Sequence, residues 1–541
     1  MPDPLSRLRE QISDAADALR EGTDGGARLG VERPPKPELG DYSTNAAMLL
    51  APGRGEQPRQ VAELLRDELG ERLGTTAERI EVAGPGFLNV FLADGWYREA
   101  VSAILDAGEG LGGGTAGHPE RVIVEFVSAN PTGPLTAAGG RHAAYGDSVA
   151  RILAFAGHAV KREYYVNDVG GQVRRFAESI AARMRGEPVP EEGYEGDDVA
   201  ELARELAAEG VDADDLDALE RLGAERMREA IASTLAGFGV RFDTWFSERS
   251  VHEGDALERT LAQLRERGHV YESEGAIWLR TSEFGDDKDR VLIRSGGEPT
   301  YFAGDVAYHR DKLERADRLI NVLGADHHGY VARMTAAIEA LGDDPERFEV
   351  VIMQLVHLIE GGERAQMSKR RGEFATLDDL VADIGVDAAR YFMLQRSHDT
   401  PVDLDLELAR RHSSDNPVYY VQYAHARICS ILDKAGVEAG PPRAVGPEVL
   451  AVAVEPAERA LIKRLLELPA EGAAAAERRA PHRLCAYATA TAADFHAFYR
   501  DCKVIGAPGG AEPARLAVCM ATRTAIARTL DLLGVGAPES M

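Results

Sequence analysis

The alternation of apolar and polar positions divides the chain into stretches of different character. Residues 122–127 are an apolar run of strand length, a turn (SANPTGP) occupies 128–134, and small residues then open a helix that runs to 156. A second strand covers 161–167, followed by a helix over 172–185, a polar acidic loop over 186–198 and helical pattern over 199–238. Residues 276–279, 291–295 and 301–303 are short strand candidates; 318–323 reads as a strand, 331–341 as a helix and 350–355 as a further strand. This alternation predicts an α/β fold with a doubly wound parallel sheet. Ligands of such sheets lie beyond the carboxyl ends of the strands, where Glu125, Asn130, Asp305 and Asp326 are expected.

The flanks read differently. Residues 1 to about 110 form a separate small α/β unit. It has helices over 4–20 and 60–71, a helix capped near 43–45, and two strands within 80–92 broken by Gly84-Pro85-Gly86. The glycine-rich 108–117 is the best linker. From 403 to 541 the strands stop and the pattern is helical, rich in Ala, Leu and Arg, with one Pro-Gly loop over 506–513. The expected division is therefore 1–112, 113–402 with a helical insertion at about 186–270, and an all-helical 403–541. There is no internal repeat.

Composition narrows the class. The 541 residues, 44% hydrophobic and 28% charged, are those of an ordinary globular protein of several domains. No apolar run approaches the ~18 residues of a membrane span, and the N-terminus carries acids early where a secretory signal needs an apolar core. The expected compartment is the cytoplasm. The four cysteines form no C-x-x-C pair and read as core thiols. A net charge of -28 argues against indiscriminate binding to polyanions but leaves room for a local basic patch.

Candidate chemistry starts at Glu125. A charge inside a buried strand requires a cationic partner, from the chain or from a substrate. The small residues Ala137, Ala138, Gly139 and Gly140 open the next helix, a layout that suits either a phosphate on free N–H groups or plain close packing. Residues 366–372, QMSKRRG, put three consecutive basic groups in a polar loop, which reads as a solvated loop or as a phosphate clamp. Thr376 with Asp379 makes a capping box that anchors the loop on one side. His327 and His328 have no third ligand nearby in sequence, so no metal site is expected.

Together these stretches resemble a class I aminoacyl-tRNA synthetase, and specifically the arginyl-tRNA synthetase family. The resemblance runs through GDYSTNAAMLLA, EFVSANPTGPL, TYFAGDVAYHRDKL, GADHHGY, QMSKR and DNPVYYVQYAHARICSIL, in family order across the chain. It implies a Rossmann-like catalytic domain, an N-terminal tRNA-binding domain and a helical anticodon-binding domain. The implied reaction activates arginine with ATP, magnesium entering with ATP as substrate and no tightly bound cofactor, and then transfers the arginyl group to tRNA(Arg). Arginine contacts carry over to Glu125, Asn130, Tyr301, Asp305 and Asp326. ATP contacts carry over to Pro134, Thr136, Gly139, Gly140, Gly324, Met367, Ser368 and Lys369. Catalytic roles carry over to Lys369, Ser368 and Thr136. Tyr419, Tyr423, Arg427 and Met541 are the expected tRNA contacts, although the tyrosines, Tyr420 among them, serve equally as core. Family members are commonly monomers.

One departure stands out. The family's first signature, His-x-Gly-His, is here Thr136-Ala137-Ala138-Gly139, without either histidine. Losing one such donor typically costs about 2.7–4 kcal/mol of transition-state stabilisation. His142, one helical turn beyond Gly139, is a candidate substitute. The second signature begins with Gln366 in place of Lys. Two readings follow: an active arginine–tRNA ligase with a variant ATP site, or a relative that binds tRNA or arginine for regulation.

Overall fold

The computed structural model describes residues 4–20, 29–364, 376–437 and 453–541. The first unit opens with α1 (Pro4–Ala18), whose Leu5, Leu8, Ile12, Ala15 and Ala16 recur at helical spacing and are buried. Strands β1 (Val31–Glu32) and β2 (Tyr42–Thr44), helices α2 (Ala46–Arg54) and α3 (Pro58–Leu73), strands β3 (Ala77–Ala83) and β4 (Phe87–Leu92), and helix α4 (Asp94–Ala107) follow. The strands pair antiparallel in the order β1-β2-β4-β3. The helix start expected near 43–45 is found there: Asn45 is the N-cap residue of α2, and Thr44 Oγ1, at the end of β2, accepts from Ala46 N at 3.3 Å. The side chain of Asn45 accepts from Gly30 N at 3.1 Å and so ties down a loop instead of its own helix.

The second unit alternates as its pattern predicts. It runs β5 (Arg121–Glu125), α5 (Ala137–Ala156), β6 (Ala159–Val166), α6 (Gly171–Arg185), α7 (Asp197–Ala208), α8 (Leu216–Gly237) and β7 (Thr244–Ser247). Short α9 (Arg249–Glu253), α10 (Ala256–Glu266) and an antiparallel trio, β8 (Val270–Ser273), β9 (Ala276–Leu279) and β10 (Arg290–Ile293), come next. Then α11 (Tyr301–Arg315), β11 (Arg318–Gly324), α12 (His328–Leu341) and β12 (Phe348–Met353) complete the main sheet. Its five strands are all parallel, in the order β12-β11-β5-β6-β7. Strand order reverses at β5, so the crevice between the ends of β5 and β11 is the topological switch point where such sheets take ligands. Residues 301–303 are not a strand, contrary to the sequence expectation. Thr300 is extended and its Oγ1 accepts from Ala303 N at 3.3 Å, capping a fifteen-residue helix.

Strands also continue past residue 400, which corrects the expectation that they stop there. After β13 (Val356–Glu360), β14 (Glu363–Arg364), α13 (Leu377–Ile384) and α14 (Val386–Leu394), strand β15 (Val402–Asp405) lies parallel to β13. The remainder is helical: α15 (Leu406–Ala409), α16 (Pro417–Lys434), α17 (Pro456–Leu465), α18 (Leu468–Glu477), α19 (His482–Asp501) and α20 (Glu512–Leu533). Leu461, Leu484, Phe495, Val518 and Ile526 are among its buried core, which is continuous with that of the sheet. Cys485, Cys502 and Cys519 are buried free thiols and Cys429 is half-buried. No helix among the described residues is long and apolar enough to cross a membrane.

Candidate active site

Glu125 ends β5, in register with Asn321 of β11 on one side and Glu163 of β6 on the other. It is buried, and the cation it requires is supplied by the chain itself: Lys312 Nζ lies 2.7 Å from Glu125 Oε2. Directly after the strand the backbone turns through the left-handed region at Val127 (φ 69) and Ser128 (φ 42). A β-branched residue there is strained, and such strain persists where surrounding contacts fix it. Here the turn brings Ser128 Oγ to donate to Glu125 Oε1 at 3.1 Å and to accept from Tyr165 N at 3.1 Å. Asn130, exposed at the rim, donates to Gln172 on α6.

The facing wall comes from α11. Tyr301, at its N-terminus, is 64% exposed. Its hydroxyl passes over Gly170, which has φ +96 and where a Cβ would come within 2.6 Å of that oxygen, so only glycine fits. Asp305, one turn further, is pushed up to about 7 by burial and then by the charges of Glu248 and Glu125, against the pull of Arg333 and Lys312. Glu248 is likewise pushed up to about 7, by burial and then by Asp168. Glu248, Asp305, Glu125 and Asp168 also act on Tyr165, whose hydroxyl burial and these charges hold above its ordinary range. Asp168 is already engaged, accepting from Arg249 N at 2.9 Å and from Ser247 Oγ. The crevice thus gathers more carboxylate than it compensates, and it suits a cation. A planar guanidinium can satisfy two carboxylates at once. Sequence reading missed Glu248 and Asp168. Glu248 directly follows β7, so recognising residues 244–247 as a strand would have placed it at a carboxyl end with the rest. Gly324 ends β11; the side chain of Asp326 lies outside the described residues.

On the other side of β5 stands the start of α5. Thr136 is its N-cap, with Oγ1 accepting from Gly139 N at 3.2 Å. The threonine is exposed and its hydroxyl proton stays free to donate. Pro134 is exposed at the same rim, and His142 is half-buried a turn further in. Gly140 departs from the expectation of a nucleotide contact. Its N–H bonds to Thr136 O, it is buried, and a Cβ there would lie 2.6 Å from Leu377 Cδ1. Its small size serves the packing of α5 on α13. Leu377 N donates to Leu135 O at 2.8 Å and Thr136 bridges to Thr376, so the helix start touches the capping box of Thr376 and Asp379. Gln366, Met367, Ser368 and Lys369 lie outside the described residues.

The helical unit carries an aromatic ladder. His412 stacks on Tyr419 (5.7 Å) and Tyr419 on Tyr423 (6.1 Å), and Arg427 lies over the rings of both Tyr423 and Tyr499. Tyr420 packs towards the core instead. Tyr419 shares a cavity of about 530 Å³ with Met541, His412 and Gln422. A second, of about 450 Å³, is lined by Arg427, Lys434, Tyr499 and Lys503, a basic patch in an acidic chain.

A parallel sheet with a switch-point crevice is the frame of class I aminoacyl-tRNA synthetases. The family model described as "tRNA synthetases class I (R), catalytic domain" matches residues 100–187 and 224–418. The chain belongs, more narrowly, to the arginyl-tRNA synthetase family. The "Arginyl tRNA synthetase N terminal domain" matches residues 6–92 and the "DALR anticodon binding domain" residues 421–541. A relative from Frankia alni, named arginine–tRNA ligase, is 48% identical over 525 residues, 94% of each chain. One of the same name from Carboxydothermus hydrogenoformans is 45% identical, again over 94% of each. The structure of Thermus thermophilus arginyl-tRNA synthetase superposes with a TM-score of 0.74 at 28% identity, over 99% of both chains.

Proposed function

We propose that this protein ligates L-arginine to its cognate tRNA in two steps driven by ATP. The observation that carries the reading is the acidic crevice at the carboxyl ends of the strands, where the charges of Glu125 and Glu248 bear on Asp305, in a chain of this family. The arginine carboxylate attacks the α-phosphorus of ATP and pyrophosphate leaves; a hydroxyl of the terminal ribose of tRNA then attacks the arginyl carbonyl and AMP leaves. Glu125, Asn130, Tyr301, Asp305 and Asp326 are assigned to arginine, with Glu248 added from its place beside Asp305. Pro134, Thr136, Gly139, Gly324, Met367, Ser368 and Lys369 are assigned to ATP. Thr136 and Lys369 donate to the phosphates as charge develops, with Ser368 assisting. Magnesium enters with ATP as part of that substrate. Tyr419, Tyr423, Arg427 and Met541 are assigned to the anticodon loop, where stacked aromatic rings and an arginine suit unpaired bases. The working unit is a cytoplasmic monomer divided at 1–112, 113–402 and 403–541.

Charging of tRNA(Arg) with radiolabelled arginine tests this, with Thr136→His/Gly139→His measured alongside. The native chain is expected to charge tRNA, the threonine hydroxyl serving where the family has histidine. A silent native chain beside an active double variant would instead mark a protein that lost activation, and the regulatory reading would replace this one.

A further inference from the structure

Helix α11 carries a polar stripe that continues beneath the crevice. Tyr301, Asp305, His309 and Lys312 follow one another at helical spacing along one face. Exposure falls steadily along it, from 64% at Tyr301 to 1% at His309 and 0% at Lys312. A fully buried lysine is rare unless each of its donors is used. Lys312 Nζ donates to Glu125 Oε2 and to Asn321 Oδ1, both at 2.7 Å, and sits 4.7 Å above the ring of Tyr308.

From Asn321 the chain of bonds runs back to the mouth. Asn321 Nδ2 donates to His309 Nε2 at 3.1 Å, and His309 Nδ1 donates to the backbone carbonyl of Asp305 at 2.8 Å. The two ends fix every role between them, because an ammonium only donates and a carbonyl only accepts. The imidazole must therefore be neutral, in agreement with burial and the nearby Lys312 charge pushing His309 down to about 3. On the far side Ser128 holds the other oxygen of Glu125. The ion pair offsets part of the crevice's negative charge, while each Glu125 oxygen, holding one bond, keeps a lone pair for a ligand.

We propose that Lys312 is a positioning residue for the arginine site: it is the resident counter-ion that fixes the Glu125 carboxylate and, through Asn321 and His309, the turn of α11 bearing Asp305. Arginine then meets carboxylates already set in place, and little reorganisation remains for binding. The proposal rests on the assignment of Glu125 and Asp305 to arginine.

The test is aminoacylation kinetics of the full-length protein with tRNA(Arg), each variant first checked for native circular dichroism. Lys312→Met is expected to raise the KM for arginine at least about tenfold while the KM for ATP stays within about twofold, whereas a purely structural loss would lower the active fraction and leave both KM values alone. Lys312→Arg keeps the charge and is expected to recover most of the arginine KM. Asn321→Ala leaves the ion pair but cuts the link to His309, and is expected to raise the arginine KM about threefold or more. Should Lys312→Met not fold, Asn321→Ala carries the decision: an arginine KM within twofold of native overturns the proposal. Glu125→Gln separates the two claims. If its arginine KM is native, the arginine assignment fails; if it rises while the Lys312 and Asn321 variants stay native, only the positioning role fails.

Discussion

Asp305 and Glu248 sit close enough to share a charge problem, and their titration follows from it. Their ordinary values are 3.8 and 4.5, and in the fold each is pushed up to about 7. Between those limits the folded state holds protons that the unfolded chain has released. The stabilisation from these two groups is therefore complete below about pH 4 and is lost as pH rises through 7. On the proposed assignment of these carboxylates to arginine, the guanidinium favours both ionised forms and displaces their protons. The KM for arginine is expected to fall as pH rises from 6 to 8, by up to about tenfold per unit for each proton displaced, and to level off above about 7.5. Over the same range the melting temperature of the ligand-free protein should drop, and saturating arginine should restore it. A flat arginine KM from pH 6 to 8 would refute the shared-charge account, and Asp305→Asn should remove its own share of the slope while that of Glu248 remains. At this scale the sequence was half legible. Asp305 was visible in its motif, whereas Glu248 is brought to the carboxyl ends of the strands only through the nonlocal pairing of β7 with β6.

At the scale of elements, α5 depends on its first residue. Thr136 caps the helix through its side chain, and its backbone forms an isolated antiparallel bridge with Thr376, the N-cap residue of α13. Thr136→Ala is expected to lower unfolding stability by about 1 kcal/mol and Thr136→Ser to retain most of it, measured by chemical denaturation. Equal stability of the two variants would show that the cap is not what holds the helix start. Thr136→Ala should also slow pyrophosphate exchange more than Thr136→Ser does, because only the serine keeps a hydroxyl donor. The helices were largely legible because their periodicity extends over many residues, as in α3, α6 and α8. The misread pieces are short. Residues 301–303 form an apolar triplet whose helical state is decided by the Thr300 cap just outside it. Strand β15 has four residues, and its state is decided by pairing with β13, some forty-five residues earlier in the chain.

The whole molecule is joined by charges that no local pattern reveals. Asp147, buried on α5, accepts from Arg390 Nη2 at 2.7 Å, Arg151 Nε at 2.8 Å and Arg162 Nε at 3.0 Å. Arg390, fully buried on α14, also donates through Nε to Leu533 O at 3.0 Å and through Nη1 to Phe238 O at 3.3 Å. One guanidinium thus closes the carbonyl ends of α8 and of α20 and ties both to the helix that begins at the active site. Ser148 adds a bond to Leu532 O at 2.8 Å. Replacing Arg390 by Met keeps most of the volume and leaves Asp147 with two arginines, so no charge is stranded. What is lost is the partner of two buried carbonyls, a cost on the order of 3 kcal/mol. Because Asp305, Glu125 and Lys312 lie on other elements, the arginine KM of Arg390→Met is expected to stay native. Its unfolding midpoint should fall, and its KM for tRNA should rise as the helical unit loses its fixed seat. Gly534→Ala offers an independent approach to the same joint. Its φ is +65 and its Cβ would lie 2.1 Å from Arg390 Nη2, so it should displace the guanidinium and reproduce the tRNA defect with Arg390 still present. If both variants unfold early yet bind tRNA normally, the joint stabilises the fold without orienting the anticodon surface; if neither unfolds early, the guanidinium is not the joint.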